Sequence, residues 1–373
     1  MKYFLIAGEA SGDLHGSYLI KALRQADPQA QICAWGGDLM QAAGAQLLKH
    51  YRDTAYMGFI EVVKHLPDIW RNLRTCRHDI EQFAPDAVLL IDYPGFNLRI
   101  APFAHQKGYR VFYYISPQVW AWKANRVQLM RQYIEQLYAI LPFEPDFYRQ
   151  HGWNEVQFVG HPLLDALNDH STDKLPPLAL GNDDTKPVIA LLPGSRTQEI
   201  SRMLPTMLEA TTLLGSQYRY AVAGAPAVSR HFYAPFLKDY PHISLINRQT
   251  HALLRQARGS IVTSGTATLE TALLGVPQVV VYKGNALSYY IARRLVKVRY
   301  ISLVNLIADQ TLVTELIQDQ ATPQNIAQIL QPLLPNGEAR TRLLDQYAQL
   351  HRQLGGVGAS QRVAEDIVAR ISI

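Results

Sequence analysis

Short apolar runs alternate with segments of helical period along most of the chain. Tyr3 to Ala7 is the first run, and a segment of helical spacing follows it to about Ala26. Similar runs end at Gly37, at Ile91 after Ala87, at Ile115 after Val111 and at Leu141 after Leu137. Each is short, uniformly apolar and closed by turn residues, as a strand buried on both faces should be. The pattern lapses from about Asp165 to Lys186, a polar stretch with Pro176 and Pro177, which predicts a linker. It then restarts with Val188 to Leu192, Tyr220 to Ala223, Ile243 to Ile246, Ile261 to Thr263 and Gln278 to Tyr282. From Pro323 the tail reads as amphipathic helices. Strands alternating with helices predict parallel sheets, and the restart predicts two of them. The expected fold class is therefore α/β, with two Rossmann-like domains facing a cleft. Their predicted spans are 1–165 and 186–340, with residues 341–373 as C-terminal helices.

Ligands bind such sheets at the carboxyl ends of the strands, so the chemistry is expected there. The first leads into Gly8-Glu9-Ala10-Ser11-Gly12-Asp13-Leu14-His15-Gly16. Three glycines in nine residues form either a ligand loop that includes Gly12 or a plain strand-to-helix turn; the spacing is not that of a dinucleotide fingerprint. Asp92 follows the strand Ala87 to Ile91 and is the first candidate for a general base; the alternative is an Asp that fixes its turn. Ser116 to Lys123 carries Trp120 and Trp122, with Arg126 nearby, which could hold a sugar and a phosphate or pack as core.

In the second half, Pro193-Gly194-Ser195-Arg196 suits a diphosphate, unless Arg196 simply pairs with Glu199. Ser264, Gly265 and Thr266 open a helix whose free N–H groups form an anion site, with hydroxyls suited to capping. Glu270, four residues on from Thr266, faces the same way and could accept both hydroxyls of a ribose.

Two segments are basic and apolar together. Between Met57 and Arg74, Phe59, Val62, Val63, Leu66, Ile69, Trp70 and Leu73 recur at helical spacing, and Pro67 is expected to split the segment. Such a helix lies in a membrane interface or packs on a sheet. Leu287 to Tyr300 holds Tyr289, Tyr290, Arg293, Arg294, Lys297, Arg299 and Tyr300, which fits a phosphorylated lipid or single-stranded nucleic acid.

At 373 residues the chain is too long for one core. A net charge of +5 favours anionic partners. Cys33 and Cys76 give neither a disulfide framework nor a zinc pattern, and the twelve histidines make no HExxH pair. No apolar run would span a bilayer, and the N-terminal run is too short for a signal peptide, so a cytosolic protein is expected, with no metal and no cofactor.

Nine motifs in order carry a resemblance: AGEASGD (Ala7 to Asp13), MGFIEV (Met57 to Val62), IDYPGFN (Ile91 to Asn97), SPQVWAW (Ser116 to Trp122), LPFE (Leu141 to Glu144), FVGHPLLD (Phe158 to Asp165), LLPGSR (Leu191 to Arg196), SGTATLE (Ser264 to Glu270) and SLVNLIA (Ser302 to Ala308). Nearly end to end, the chain resembles the lipid-A-disaccharide synthases, inverting transferases of the GT-B fold. The resemblance implies transfer from UDP-2,3-diacylglucosamine to 2,3-diacylglucosamine 1-phosphate, giving a β(1→6) disaccharide phosphate and UDP. It implies that Asp92 deprotonates the acceptor 6-hydroxyl, that Arg196 with Ser195, Ser264, Gly265 and Thr266 holds the diphosphate, that Glu270 holds the ribose and that Asn305 orients the donor. The family's IDxPDFN pattern has a second carboxylate where Gly95 stands, which leaves Asp92 as the candidate base. Acylated substrates give Met57 to Arg74 a purpose: peripheral contact with the cytoplasmic face of the inner membrane, joined by Arg293 and Arg294. The resemblance also leaves room for a homodimer and for C-terminal helices that return to the first half or exchange between subunits. An epimerase of the same fold, needing no lipid surface, and a nucleic-acid-binding module are the competing readings; no nucleic-acid partner is expected.

Overall fold

The structure is a computed structural model that describes residues 1–53, 66–122, 124–169, 178, 180, 185–284 and 299–372; of Leu66 and Trp122 only the backbone is described. The chain divides into two units. One comprises Met1–Asn168 together with Leu354–Ile373, and the other Asp169–Gln353.

The first unit is built on seven strands: β1 (Lys2–Ala7), β2 (Gln31–Gly36), β3 (Gln46–His50), β4 (Ala87–Ile91), β5 (Arg110–Tyr114), β6 (Gln136–Ala139) and β7 (Gln157–Phe158). Their order is β3-β2-β1-β4-β5-β6-β7, all in parallel. Side chains alternate across a strand, and both faces are covered. Phe4 and Ile6 of β1 join one apolar cluster with Leu73, Cys76 and Ile80 of the helix Leu66–Phe83. Tyr3, Leu5 and Ala7 join the other, with Val363, Ala364 and Ile367 of the helix Ala359–Ile371. That last helix is pinned by Asp165, whose carboxylate accepts from Gly358 N at 2.6 Å and Ser360 N at 2.9 Å. Tyr138 adds a hydroxyl bond to Asp366 at 2.8 Å. The helix Arg340–Gln353 belongs to the second unit, so of the predicted C-terminal helices only the last lies in the first unit.

The second unit repeats the plan with β8 (Val188–Leu192), β9 (Arg219–Gly224), β10 (Ile243–Asn247), β11 (Ala257–Thr263), β12 (Gln278–Tyr282) and β13 (Glu315–Ile317). The order is β10-β9-β8-β11-β12-β13, again parallel throughout. In each sheet the chain reverses its direction of winding beside the first strand, between β1 and β4 and between β8 and β11. Loops leave such a pair toward opposite faces, which opens the crevice where ligands bind in open α/β sheets.

The residues before Leu66, on which the expected split at Pro67 depends, lie outside the described residues; what is described begins at Pro67's own turn. Pro67 stands in the first turn of the helix Leu66–Phe83, where its missing N–H costs nothing.

Candidate active site

Asp92 stands directly after β4, at the first unit's reversal point. It and Tyr93 both take left-handed backbone conformations, φ 45° and 49°. For residues other than glycine each costs on the order of 1 kcal/mol, so the surroundings must enforce it. Four contacts do. Asp92 N donates to Tyr114 O at 3.0 Å. Asp92 O accepts from the buried Asn97 amide at 2.8 Å and from the Tyr113 hydroxyl. The Tyr93 ring lies over Gly8, where a Cβ would come within 2.3 Å of it, and stacks on Phe96 at 5.4 Å between centroids. Pro94 then opens the helix Pro94–Gln106. The Asp92 carboxyl is thus aimed by the ends of β1, β4 and β5 together. Burial, and secondarily the Glu9 carboxylate, push its pKa up to about 6. A carboxylate of that basicity is suited to taking a proton from a hydroxyl near neutral pH.

The glycine loop after β1 is explained by packing. Gly8 admits the Tyr93 ring; a Cβ on Gly12 would stand 3.1 Å from that of Ala7; one on Gly16 would meet Met40 at 2.7 Å. Gly12, expected to touch the sugar nucleotide, is instead buried in the helix Ala10–Ala26 against β1. Asp13 turns away from the loop and accepts from Gly37 N, Met40 N and Leu39 N at 2.8, 3.0 and 3.1 Å, capping the helix Asp38–Ala42.

In the second unit, the loops after β8 and β11 flank the reversal point. Arg196 is the N-cap of the helix Thr197–Leu214 and is 56% exposed. Its guanidinium lies 3.7 Å from Glu199, whose other oxygen accepts from Ser195 N at 3.0 Å. An anionic oxygen of the chain itself therefore already sits on the loop's N–H beside its cation. Gly265, at φ 158° with no described atom within 4 Å of where a Cβ would be, caps the helix Thr266–Leu273. The expected hydroxyl capping is absent: Ser264 Oγ donates to Ile301 O at 2.8 Å, and Thr268 Oγ1 to Gly265 O at 2.8 Å. With no side chain among the described residues on its first N–H groups, that helix start keeps its capacity for an anion. Glu270 is partly exposed one turn further in and meets His251 Nε2 at 3.2 Å.

Asn305 departs from its expected role. It is wholly buried. Its Nδ2 donates to Val313 O and Glu315 at 2.8 and 2.9 Å, and its Oδ1 accepts from Leu312 N and Val313 N at 2.8 and 2.9 Å. Both hydrogens and both lone pairs are committed, so the amide fixes the turn into β13 and has no group left for a donor sugar. Glu315 in turn accepts from Ile301 N and from Ser302, which ties this turn to the partner of Ser264.

Of the segment assigned to the membrane, Phe59, Val62 and Val63, with the Leu66 side chain, lie outside the described residues, as do Arg293 and Arg294. Ile69 packs against the first unit's core beside Leu73, which corrects its assignment to lipid. Trp70, the next residue along the helix, is 61% exposed. The Trp122 side chain and Lys123 also fall outside the description.

Sequence reasoning gave no role to Glu144, which is fully buried yet accepts from Ile140 N, Leu141 N and Trp120 Nε1 at 3.0, 2.9 and 3.2 Å. Burial pushes its pKa up to about 7. It binds the turn that carries Trp120 to the end of β6. His161 is buried and held neutral, its pKa lowered to about 3 by burial and by His15; its Nδ1 accepts from Leu163 N at 3.2 Å.

The family profile described as lipid-A-disaccharide synthetase matches residues 3–368. Among similar curated proteins, the lipid-A-disaccharide synthase of Trichlorobacter lovleyi is 38% identical over 375 residues, covering 99% of this chain and 97% of that one. That of Syntrophus aciditrophicus is 40% identical over 367 residues, covering 96% and 95%. Among solved structures, the UDP-GlcNAc 2-epimerase of Neisseria meningitidis bound to UDP-GlcNAc superposes with a TM-score of 0.70 at 14% identity, over 99% of this chain and 100% of that one. The glycosyltransferase of kitacinnamycin gives 0.65 at 16% identity, over 99% and 98%. At these identities the structural likeness speaks for the fold alone, which is that of GT-B glycosyltransferases and of these epimerases.

Proposed function

The chain belongs to the lipid-A-disaccharide synthetase family, and on that premise we propose how its side chains divide the work of the reaction. The family's enzyme is a glycosyltransferase of lipid A biosynthesis that joins UDP-2,3-diacylglucosamine to 2,3-diacylglucosamine 1-phosphate and releases UDP. In our reading Asp92 takes the proton of the acceptor 6-hydroxyl as that oxygen attacks the anomeric carbon from the face opposite UDP, which inverts the centre. Arg196 and the helix start at Gly265 and Thr266 take up the charge that gathers on the departing diphosphate, and the Ser195 N–H joins them by exchanging Glu199 for a phosphate oxygen. Ser264 shapes that turn through its bond to Ile301 O, and Glu270 accepts the ribose hydroxyls. Asn305 and Gly12 act through the fold and not by contact.

The observation that carries this reading is Asp92: a carboxylate fixed by strained backbone at a reversal point, with its pKa raised toward neutrality. Asp92→Asn keeps the shape and removes the base. Turnover should fall by at least about a hundredfold, the usual contribution of a general base, while UDP binds as before. Turnover within about threefold of the native enzyme would remove Asp92 from the mechanism.

The epimerase reading draws on the structural likeness, but the family match favours the transferase. Among the described residues no helix is long and apolar enough to cross a membrane. We place the enzyme peripherally on the cytoplasmic face of the inner membrane, with the exposed Trp70 and neighbouring Arg71 and Arg74 at the lipid surface; a homodimer is compatible with this. Loss of Trp70 should weaken binding to anionic vesicles roughly 30-fold, the equivalent of about 2 kcal/mol for one buried aromatic. Unchanged sedimentation of Trp70→Ser with vesicles would remove that anchor.

A further inference from the structure

His251 and Glu270 lie 19 residues apart in sequence and on different helices, Thr250–Gln256 and Thr266–Leu273, which precede and follow β11. Their side chains meet at 3.2 Å, Nε2 to Oε2, and each is about four-fifths covered, at 22% and 21% exposure. A carboxylate only accepts, so Nε2 carries the proton and donates. The carboxylate of a glutamate otherwise turns freely about its last bond. Here one oxygen is held, and the plane of the group is set relative to the helix start at Gly265. The other oxygen, with the spare lone pair of the first, remains for two adjacent hydroxyls.

We infer that His251 is a positioning residue: it fixes the Glu270 carboxylate for the vicinal 2′,3′-diol of the ribose, and so sets the preference for a ribonucleoside diphosphate over its 2′-deoxy counterpart. This rests on the reading of Glu270 as the ribose acceptor. A pair that served only to join two helices would alter the binding of both nucleotides alike.

The test is calorimetric binding of UDP and of 2′-deoxy-UDP to the full chain and to His251→Ala, His251→Gln and Glu270→Ala. The quantity read is the ratio of the two dissociation constants within each protein, so any loss of folded fraction cancels. The native chain should favour UDP by about tenfold or more, since a site built to bond a hydroxyl rejects the analogue lacking it. Glu270→Ala should bring the ratio close to one. His251→Ala should lower it at least about threefold, and His251→Gln, whose amide can donate to the same oxygen, should restore most of it. If Glu270→Ala collapses the ratio and His251→Ala leaves it at the native value, the positioning role is overturned and the ribose reading stands. If the native ratio is already near one, or Glu270→Ala leaves it intact, the ribose reading fails and this inference with it.

Discussion

The acid limb of the pH–rate profile should respond to Glu9, a residue that touches neither the acceptor nor the donor in this mechanism. Burial and the Glu9 carboxylate together lift the Asp92 pKa from 3.8 to about 6. That displacement of about two units corresponds to about 3 kcal/mol between the two protonation states. Burial is the larger cause and survives the substitution Glu9→Gln, so loss of the neighbouring charge should lower the pKa by up to about one unit. Glu9 is the N-cap of Ala10–Ala26 and makes no capping side-chain bond, so Glu9→Gln removes no cap from that helix. The sign follows from the role of the base. It works ionised, so native kcat/KM falls as pH drops through about 6, and at pH 5 only about a tenth of the enzyme is competent. With a pKa nearer 5, about half is competent at that pH, a gain of up to about fivefold. At pH 8, where both forms are ionised, the variant should be slightly slower, since a less basic carboxylate is a weaker proton acceptor. Measuring kcat/KM by UDP release from pH 4.5 to 8.5 would display the crossing. Superimposable acid limbs, or a limb that moves to higher pH, would refute the electrostatic account of Asp92.

Gly8→Ala would set a Cβ within 2.3 Å of the Tyr93 ring; turnover should drop at least about tenfold through misplacement of Asp92, with UDP affinity unchanged by titration. Glu199→Gln removes the carboxylate that engages Ser195 N and Arg196; UDP should bind up to about fivefold tighter, the scale of one exposed ion pair, and weaker binding would show that Glu199 instead supports the loop. Asp165→Ala removes a cap from two N–H groups of the last helix; chemical denaturation should register a loss of about 1 to 2 kcal/mol for the first unit.

The strands that frame both sites were legible because they are buried on both faces and read as unbroken apolar runs; Ala87 to Ile91 and Val188 to Leu192 are found at their predicted limits. The strands β3, β7 and β13 were not. β3 lies at the sheet edge with mostly half-buried residues, and the other two have only two and three residues. Asp92 was identifiable from its place after a buried run. The residues that aim it were not: Tyr93 and Gly8 are 85 positions apart in sequence, and a glycine that admits an aromatic ring spells the same as one that admits a phosphate. Asn305 misled for the converse reason, since a polar residue beside a strand end reads as a ligand until its four internal bonds are seen. His251 drew no attention because its partner arrives from across a strand.

The first unit is discontinuous in the chain, and this orders its birth on the ribosome. Its sheet is complete by Phe158, but the apolar face made by Tyr3, Leu5, Leu89 and Phe112 waits for Val363, Ala364 and Ile367. The whole of Asp169–Gln353 is synthesised in between. The second unit thus has every residue it needs while the first still leaves part of one sheet face, beside the helix Ala10–Ala26, without its cover, for roughly ten to forty seconds at ordinary rates of elongation. A holdase that shields apolar strands has its natural client in that interval, and a stop codon after Gln353 would make the interval permanent.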